Sequence, residues 1–366
     1  MTTDTSAAQT GATSPLEAMT AGEPTVLWND SATPKELGQS IAWGAVGATC
    51  NPVIALAAIN ADLPRWTERI RHVATEMPMA TESQIGWRLV EEVSIEAAGM
   101  LRPAFDRYEG VNGRISMQTD PRNHRNAAAL AEQAAHFASL ADNVIVKIPA
   151  TATGTHAIED AVSRGVSINV TVSFSVPQAL AAAEAIERGL QIREAAGHDV
   201  SRMGHVVTIM VGRLDDWLKD VVARDGVDID PDHLDWAGVA AFKRAYEIFQ
   251  ERGYRSRLLS AAFRSTRHWS EFVGGDVVIS PPFGWQQKIQ DAAQFANHDQ
   301  MSVPVDPAII ASLSAKLPDF RRAYEPSGMT PEEFDTFGAT RKTLRQFLGA
   351  DEELDQLVRD VLVPAP

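Results

Sequence analysis

Short apolar runs alternate with amphipathic stretches along most of the chain. Eight runs have the length and composition of buried strands, and they lie at residues 25–30, 47–52, 113–119, 143–149, 167–173, 205–211, 257–263 and 276–282. Segments with helical spacing of apolar residues separate them, such as residues 125–141 and 176–197. Strands that alternate with helices pair in parallel through right-handed crossovers. The pattern therefore predicts an α/β fold.

Eight strand–helix units between residues 25 and 282 match the size of a (β/α)8 TIM barrel. An open doubly wound sheet is the competing architecture. No G-x-G-x-x-G motif follows the first strand to support the dinucleotide-binding form of that sheet. We therefore expect the closed barrel.

The pattern changes outside the barrel. Residues 301–366 have helical spacing, and "TPEEF" at 330–334 is a capping box with proline at the first helical position. We predict a barrel over residues 25–300 and a C-terminal helical extension packed on it over residues 301–366. Residues 1–24 lack the basic and apolar regions of a signal peptide, and we expect a disordered tail there.

Composition limits the classes of partner and the compartment that we expect for this protein. The chain has 366 residues and a net charge of −15, which disfavours a general nucleic-acid binder but permits a local pocket for a small anion. The single cysteine, Cys50, allows no intrachain disulfide and suits a reducing compartment. The most apolar long stretch, residues 41–59, is interrupted by Asn51 and Pro52, so we expect no membrane span. We expect a cytoplasmic protein.

Polar residues gather where the predicted strands end. Because the reactive side chains of a parallel barrel lie at the C-terminal ends of its strands, these residues should converge on one mouth. The set comprises Asp30, Asn51, Gln118, Lys147, Asn169, Thr171, Thr208, Arg213 and Arg264.

Lys147 stands out because it alone among seven lysines interrupts an apolar strand. A lysine in a dry pocket has a lowered pKa and becomes a nucleophile toward carbonyl groups. The alternative is a structural lysine whose amine reaches water at the strand end. The converging polar set favours the reactive lysine.

Other members of the set also have structural alternatives. Asp30 precedes "SATPKEL" and could cap the next helix, and Asn51 before Pro52 could be a turn residue. Asn169 and Thr171 alternate in an apolar strand, which favours a functional role. Arg264 ends an apolar strand, unlike most surface arginines.

Several motifs resemble the transaldolase family. "VIVKIPAT" at 144–151 and "GVSINVTVSFSVPQALAAAEA" at 165–185 look like the strand of its Schiff-base lysine and the strand that follows. The family's "TTNP" appears as "ATCNP" at 48–52, its "FVGR" as "MVGR" at 210–213, and its "ASFR" as "AAFR" at 261–264. The matches occur in order between about residue 25 and residue 290.

The resemblance implies a class I aldolase-type barrel that acts on ketose phosphates without a metal or cofactor. It implies that Lys147 forms the Schiff base, Asp30 is the acid/base near the C4 hydroxyl, and Thr171 positions a catalytic water. It further implies that Asn51 and Asn169 bind donor hydroxyls. Arg213 and Arg264 would bind the phosphate, which suits two forked guanidiniums.

Three positions depart from the family pattern. Transaldolases have glutamate in the third strand where this chain has Gln118, which can hold a water but cannot take its proton. The related fructose-6-phosphate aldolases have glutamine there, paired with a tyrosine at the position of Met210. Thr208 replaces the usual serine two residues earlier. The donor pocket beside Met210 is therefore more apolar than in either relative.

The sequence is compatible with three functions. The first is a transaldolase, the second is an aldolase that releases dihydroxyacetone or a similar ketone, and the third is a non-catalytic sugar-phosphate-binding protein. We expect small sugar phosphates as partners, no nucleic acid and no membrane, and a homo-oligomer stays open. The nine histidines form no metal-binding motif, so we expect no catalytic metal.

Overall fold

The computed structural model describes residues 14–292 and 299–365. Each of the eight predicted runs contains one strand. The strands are β1 Val26–Leu27, β2 Gly47–Thr49, β3 Arg114–Gln118, β4 Val144–Pro149, β5 Ile168–Thr171, β6 Val206–Ile209, β7 Arg257–Ala261 and β8 Val278–Ser280.

The strands form one parallel sheet in the order β1-β8-β7-β6-β5-β4-β3-β2. A bridge between Asn29 and Ala48 joins the two ends of this order, and the Thr49 amide donates to the Asn29 carbonyl at 2.8 Å. The prediction of a (β/α)8 TIM barrel is confirmed, because helices alternate with the strands around this sheet.

Helices surround the barrel and extend beyond it. In the described ranges they are α1 Pro15–Gly22, α2 Pro34–Ala42, α3 Pro52–Ala61, α4 Leu63–Glu76, α5 Glu82–Arg107, α6 Ala127–Ala138, α7 Ala152–Ser163, α8 Val176–Ala195, α9 Val211–Asp225, α10 Pro231–Leu234, α11 Ala237–Arg252, α12 Arg267–Ser270, α13 Phe283–Gln290, α14 Pro307–Lys316, α15 Pro318–Tyr324 and α16 Gly338–Leu362. Short 3-10 helices cover Pro121–Asn123 and Pro331–Thr336. No helix of the described ranges combines the length and the apolarity that crossing a bilayer requires.

Part of the predicted N-terminal tail is ordered instead. Helix α1 begins after Ser14, whose hydroxyl donates to Glu17 at 2.8 Å, and it buries Leu16 and Met19. Gln290 of α13 fastens this helix, because it bonds the Ser14 hydroxyl at 2.9 Å and the Leu16 amide at 3.0 Å. Residues 1–13 lie outside the described residues.

The C-terminal extension ends in α16, which lies across α3 and α5. Arg122 after β3 anchors it through contacts of 2.7 Å with Asp351 and 3.2 Å with Asp355. Burial, with the neighbouring Asp120 carboxylate, raises the pKa of Asp351 to about 7. This anchored helix brings Phe347 to the mouth of the barrel.

The barrel interior is layered. Its lower layer consists of the buried side chains Trp28, Ile145, Val206, Leu259 and Val278. Side chains alternate along a strand, so residues two positions further along point into the same interior one layer higher. For Ile145, Val206 and Leu259, those residues are Lys147, Thr208 and Ala261. The apolar lower layer is thus the floor of a polar mouth.

Candidate active site

A cavity of about 150 Å³ opens at the C-terminal ends of the strands. A single water molecule needs about 10–15 Å³ of such space, so this cavity has room for a short carbon chain. With Met210 added to the nine residues at the predicted strand ends, ten site residues were predicted, and the structure brings eight of them together there. The lining consists of Asp30, Thr49, Asn51, Lys147, Thr171, Thr208, Met210, Arg213, Leu259, Ala261, Ala262, Arg264, Pro282 and Phe347.

Lys147 lies in the middle of this mouth. The strand register sets it between Gln118 on β3 and Asn169 on β5, and the residue is only 6% exposed. Its amine has no hydrogen-bond partner within the described part of the chain. Burial lowers the pKa of Lys147, and the nearby Asp30 carboxylate only partly opposes this effect. The amine is therefore suited to attack a carbonyl carbon.

Asp30 is the one carboxylate among the described residues that line the cavity. Thr49 at the end of β2 donates its hydroxyl hydrogen to Asp30, which fixes the carboxylate toward the mouth. Asp30 does not cap the following helix, because α2 begins after Thr33. A carboxylate held near an amine in this way can accept and return a proton.

Asn51 has both roles that the sequence left open. Its side-chain oxygen caps α3 by accepting from the Ile54 amide at 3.0 Å. The same side chain lines the cavity. The cap fixes the orientation of the side-chain amide, so its NH₂ group remains as a donor for a ligand hydroxyl.

Asn169 is the first of two predicted site residues outside this lining. It is fully buried, and it donates to the Ser116 hydroxyl at 2.8 Å and accepts from the Thr208 hydroxyl at 2.7 Å. These bonds connect β3, β5 and β6 across the barrel. Asn169 therefore braces the strands around Lys147, and the predicted contact with a donor hydroxyl stays a prediction.

Gln118 is the second predicted site residue outside this lining. It lines a separate cavity of about 10 Å³ next to the mouth, together with Thr171 and Phe347. Its side-chain oxygen is buried without a hydrogen-bond partner in the described residues. A cavity of this size holds about one water molecule. Gln118 can thus act on the mouth through Thr171, which lines both cavities.

The two predicted arginines lie side by side at the rim. Arg213 is in the first turn of α9, and its guanidinium donates to Gln346 of α16 at 2.5 Å. Arg264 follows β7 and pairs with Asp216 at 2.8 Å. Burial lowers the pKa of Arg213, and the Arg264 charge adds to this effect. Two neighbouring guanidiniums at the rim of one cavity favour the binding of an anion between them.

Several features of the mouth were not predicted from the sequence. Thr49 holds Asp30, and Phe347 comes from the C-terminal extension. Two non-glycine residues with positive φ follow β5 and β7, namely Val172 at 50° and Ala262 at 60°. Such strained backbone is rare and concentrates at functional sites. The polar residue Thr49, at the end of a strand, was the one signal available in the sequence.

Burial raises the pKa of the Cys50 thiol to about 11, so the residue packs as a small apolar group and has little thiolate. Within residues 14–292 and 299–365, no group of three His, Cys, Asp or Glu side chains is placed to hold a metal ion.

The fold and the mouth define a class of protein. It is a (β/α)8 barrel whose described pocket residues supply a buried amine with no hydrogen-bond partner among them, one carboxylate and a pair of arginines. The profile of the Transaldolase/Fructose-6-phosphate aldolase family matches residues 27–326. The chain belongs to this family.

Individual relatives agree with this assignment. The chain is 32% identical over 209 residues to "Transaldolase 1" of Streptomyces avermitilis, an alignment that covers 56% of this chain and 54% of that protein. It is 26% identical over 331 residues to a transaldolase of Arthrobacter sp., covering 86% and 84% of the two chains. The chain thus spans about half the length of the first relative and most of the second.

Proposed function

We propose that this protein is a transaldolase that moves a dihydroxyacetone unit from a ketose phosphate to an aldose phosphate. The observation that carries the proposal is the buried Lys147 amine without a hydrogen-bond partner in the described residues, in a cavity with Asp30 and two arginines. A protein that only bound sugar phosphates would have no need of this amine. Such a transfer belongs to pentose phosphate metabolism in the cytoplasm.

The proposed chemistry begins at Lys147. Its neutral amine attacks the C2 carbonyl of the ketose, and loss of one water leaves a Schiff base. Asp30 then accepts the proton of the C4 hydroxyl while the C3–C4 bond breaks, and the bonding electrons pass into the iminium to give an enamine. The first aldose phosphate leaves. The enamine adds to the aldehyde of the second, Asp30 returns the proton, and hydrolysis frees Lys147.

The arginines account for the phosphate in this scheme. Arg213 and Arg264 lie on the same side of the cavity, and each approaches it from a different strand end. A charge-assisted hydrogen bond is worth ~1.5–3 kcal/mol. Loss of either arginine should therefore raise KM and lower kcat/KM for phosphorylated substrates. Unphosphorylated ketoses should be poor substrates of the unaltered protein.

Gln118 favours a second candidate, an aldolase that releases the ketone into water. In a transaldolase a carboxylate at this position would assist proton movement through the water held at Thr171, and an amide cannot accept that proton. The aldolase candidate is supported by the uncharged side-chain oxygen of Gln118, which lies beside the small cavity. Gln118→Glu should then raise transfer with ordinary ketose phosphates.

One assay separates the candidates. Fructose 6-phosphate is supplied with and without erythrose 4-phosphate, and free dihydroxyacetone and the seven-carbon ketose phosphate are both quantified. A transaldolase forms the seven-carbon product and releases little dihydroxyacetone, whereas an aldolase releases dihydroxyacetone without the acceptor. No product in either reaction, with binding intact, would leave a non-catalytic binding protein.

A further inference from the structure

A buried aspartate–histidine pair lies just behind the two arginines. Asp215 in α9 and His268 in α12 are 1% and 0% exposed, and Nε2 of His268 is 2.9 Å from Oδ2 of Asp215. The other carboxylate oxygen of Asp215 accepts from the Gly238 amide of α11 at 2.8 Å. The chemistry proposed for the cavity uses neither residue.

The hydrogen bonds define the role of each ring atom. The backbone N–H of Arg264 donates to Nδ1 of His268 at 3.0 Å, so Nδ1 must be an acceptor. The ring hydrogen is therefore on Nε2, from which it is donated to Asp215. His268 thus forms a bridge that runs from the backbone of Arg264 to the side chain of Asp215.

This bridge ties together the two segments that carry the arginines. Asp215 is two residues after Arg213 in α9, and the backbone of Arg264 is the other end of the bridge. Elsewhere the segments touch closely, since a Cβ atom on Gly212 would lie 2.1 Å from the Ala262 carbonyl oxygen. The chain before Arg264 is also strained, with a φ of 60° at Ala262.

The Arg264 side chain does not by itself fix this segment. Its guanidinium bonds its own loop, at 3.2 Å to the Ala262 carbonyl and 3.0 Å to the Phe263 carbonyl, and it pairs with Asp216 of α9. A bound phosphate would draw on the same guanidinium. The bridge through His268 uses backbone and buried atoms only, so it can persist when the guanidinium contacts an anion.

We propose that Asp215 and His268 are positioning residues that hold Arg213 and Arg264 at the separation a single phosphate group requires. The inference rests on the proposed phosphate-binding role of these arginines. Neither positioning residue lines the cavity, so both act through the arginine segments. Breaking the bridge at either end should weaken phosphate binding and leave the Lys147 chemistry in place.

Two substitutions each break one end of the bridge. His268→Asn keeps an acceptor near the Arg264 amide but loses the donor to Asp215, and His268→Gln keeps a donor toward Asp215 but loses that acceptor. Asn143→Ala is the matched control, because Asn143 is also buried and donates at 2.9 Å to Ala98 and Gly113 carbonyls at the other end of the barrel. It should lower Tm without touching the arginines.

The decisive measurement is the Kd of inorganic phosphate for the folded full chain, obtained by calorimetric titration without any turnover. We expect both His268 variants to weaken phosphate binding by roughly tenfold, as loss of one charge-assisted bond would. Their KM for a phosphorylated ketose should rise in parallel, with kcat and the turnover of an unphosphorylated ketose little changed. Asn143→Ala should retain the phosphate Kd of the unaltered protein.

A purely structural role would give a different result. If the His268 variants lose Tm as Asn143→Ala does but keep the phosphate Kd, the proposal is wrong. Absence of phosphate binding by the unaltered chain would also overturn it. Suppose that the unaltered chain binds phosphate and the His268 variants bind it about tenfold more weakly, while the unaltered chain has no aldol activity. In that case only the proposed function is wrong. Should neither His268 variant fold, Asp215→Asn is measured against the same two outcomes.

Discussion

Two buried lysines of this chain have the same exposure and opposite surroundings. Lys147 at the barrel mouth and Lys243 in α11 are each 6% exposed. The amine of Lys243 donates to the Glu271 carboxylate at 2.8 Å and to the Gln300 and Val303 carbonyls at 2.9 and 2.7 Å. The amine of Lys147 has no such partner among the described residues, and burial lowers its pKa.

The difference shows that burial alone does not identify a reactive lysine. An ammonium group has three hydrogens to donate, and Lys243 satisfies all three within the protein. Its role is to fasten the segment around residue 300 to α11 and to Glu271. The Lys147 amine has no such partner among the described residues and keeps its hydrogen-bonding capacity for a ligand, which is why we propose it, and not Lys243, as the reactive lysine.

The largest expected effect comes from removing the buried amine of Lys147. Lys147→Ala should lower kcat/KM for ketose phosphates by roughly 10³-fold or more, because it removes the amine proposed to form the covalent intermediate, and no second lysine is among the described residues that line the cavity. Circular dichroism should show an intact fold. Near-normal turnover in this variant would remove the distinction between the two lysines.

Asp30→Asn should have the next largest effect. The variant keeps the size of the side chain but cannot accept the proton of the C4 hydroxyl, so kcat should fall by about 10²–10⁴-fold. Steady-state rates with a saturating ketose phosphate provide the measurement. Asp220→Asn is the control and should keep its activity, because it alters only a surface ion pair between Asp220 of α9 and Lys342 of α16. Equal rates in the two variants would exclude Asp30 from the proton path.

Lys243→Met should affect stability instead of chemistry. Removing one partner of a largely buried ion pair leaves Glu271 and two carbonyls uncompensated, at a cost of ~3 kcal/mol in the free energy of unfolding. Lys147→Met should be within about 1 kcal/mol of the unaltered protein in stability or more stable, since it removes a buried amine that has no hydrogen-bond partner among the described residues. Urea unfolding of both variants measures this contrast, and an equal loss in both would contradict it.

The smallest effect is a pH dependence of stability that belongs to Lys147. Because its pKa in the folded protein is below that in the unfolded chain, the unfolded state binds more protons between the two values. The contribution of Lys147 to stability should therefore increase as pH rises through this window. The free energy of unfolding of Lys147→Met, subtracted from that of the unaltered protein at each pH, should show this slope. A flat difference between pH 6 and pH 10 would mean that the amine stays charged.

The fold was predictable because its signals are local. A short apolar run indicates each strand, and the helical spacing of apolar residues indicates the neighbouring helices. The helix Pro15–Gly22 was missed because its stability depends on Gln290, which lies far away in the sequence. The partners of Lys243 are similarly distant, since Glu271 and Val303 follow it by 28 and 60 residues.

The candidate site was predictable where it follows from strand ends. Asp30 and Arg264 end or closely follow an apolar run, Lys147 interrupts one near its C-terminal end, and the barrel brings the three together. Phe347 could not be predicted, because its place over the mouth depends on how α16 is anchored by Arg122. The bonds of Asn169 depend on the strand register, which the sequence does not specify.

Borohydride trapping shows whether Lys147 forms the covalent link to the substrate. The protein is incubated with fructose 6-phosphate and sodium borohydride, digested, and mapped by mass spectrometry. We expect a substrate-derived secondary amine on Lys147, none on Lys243, and none anywhere in Lys147→Ala. An adduct on another lysine, or no adduct while turnover proceeds, would mean that Lys147 does not form the Schiff base.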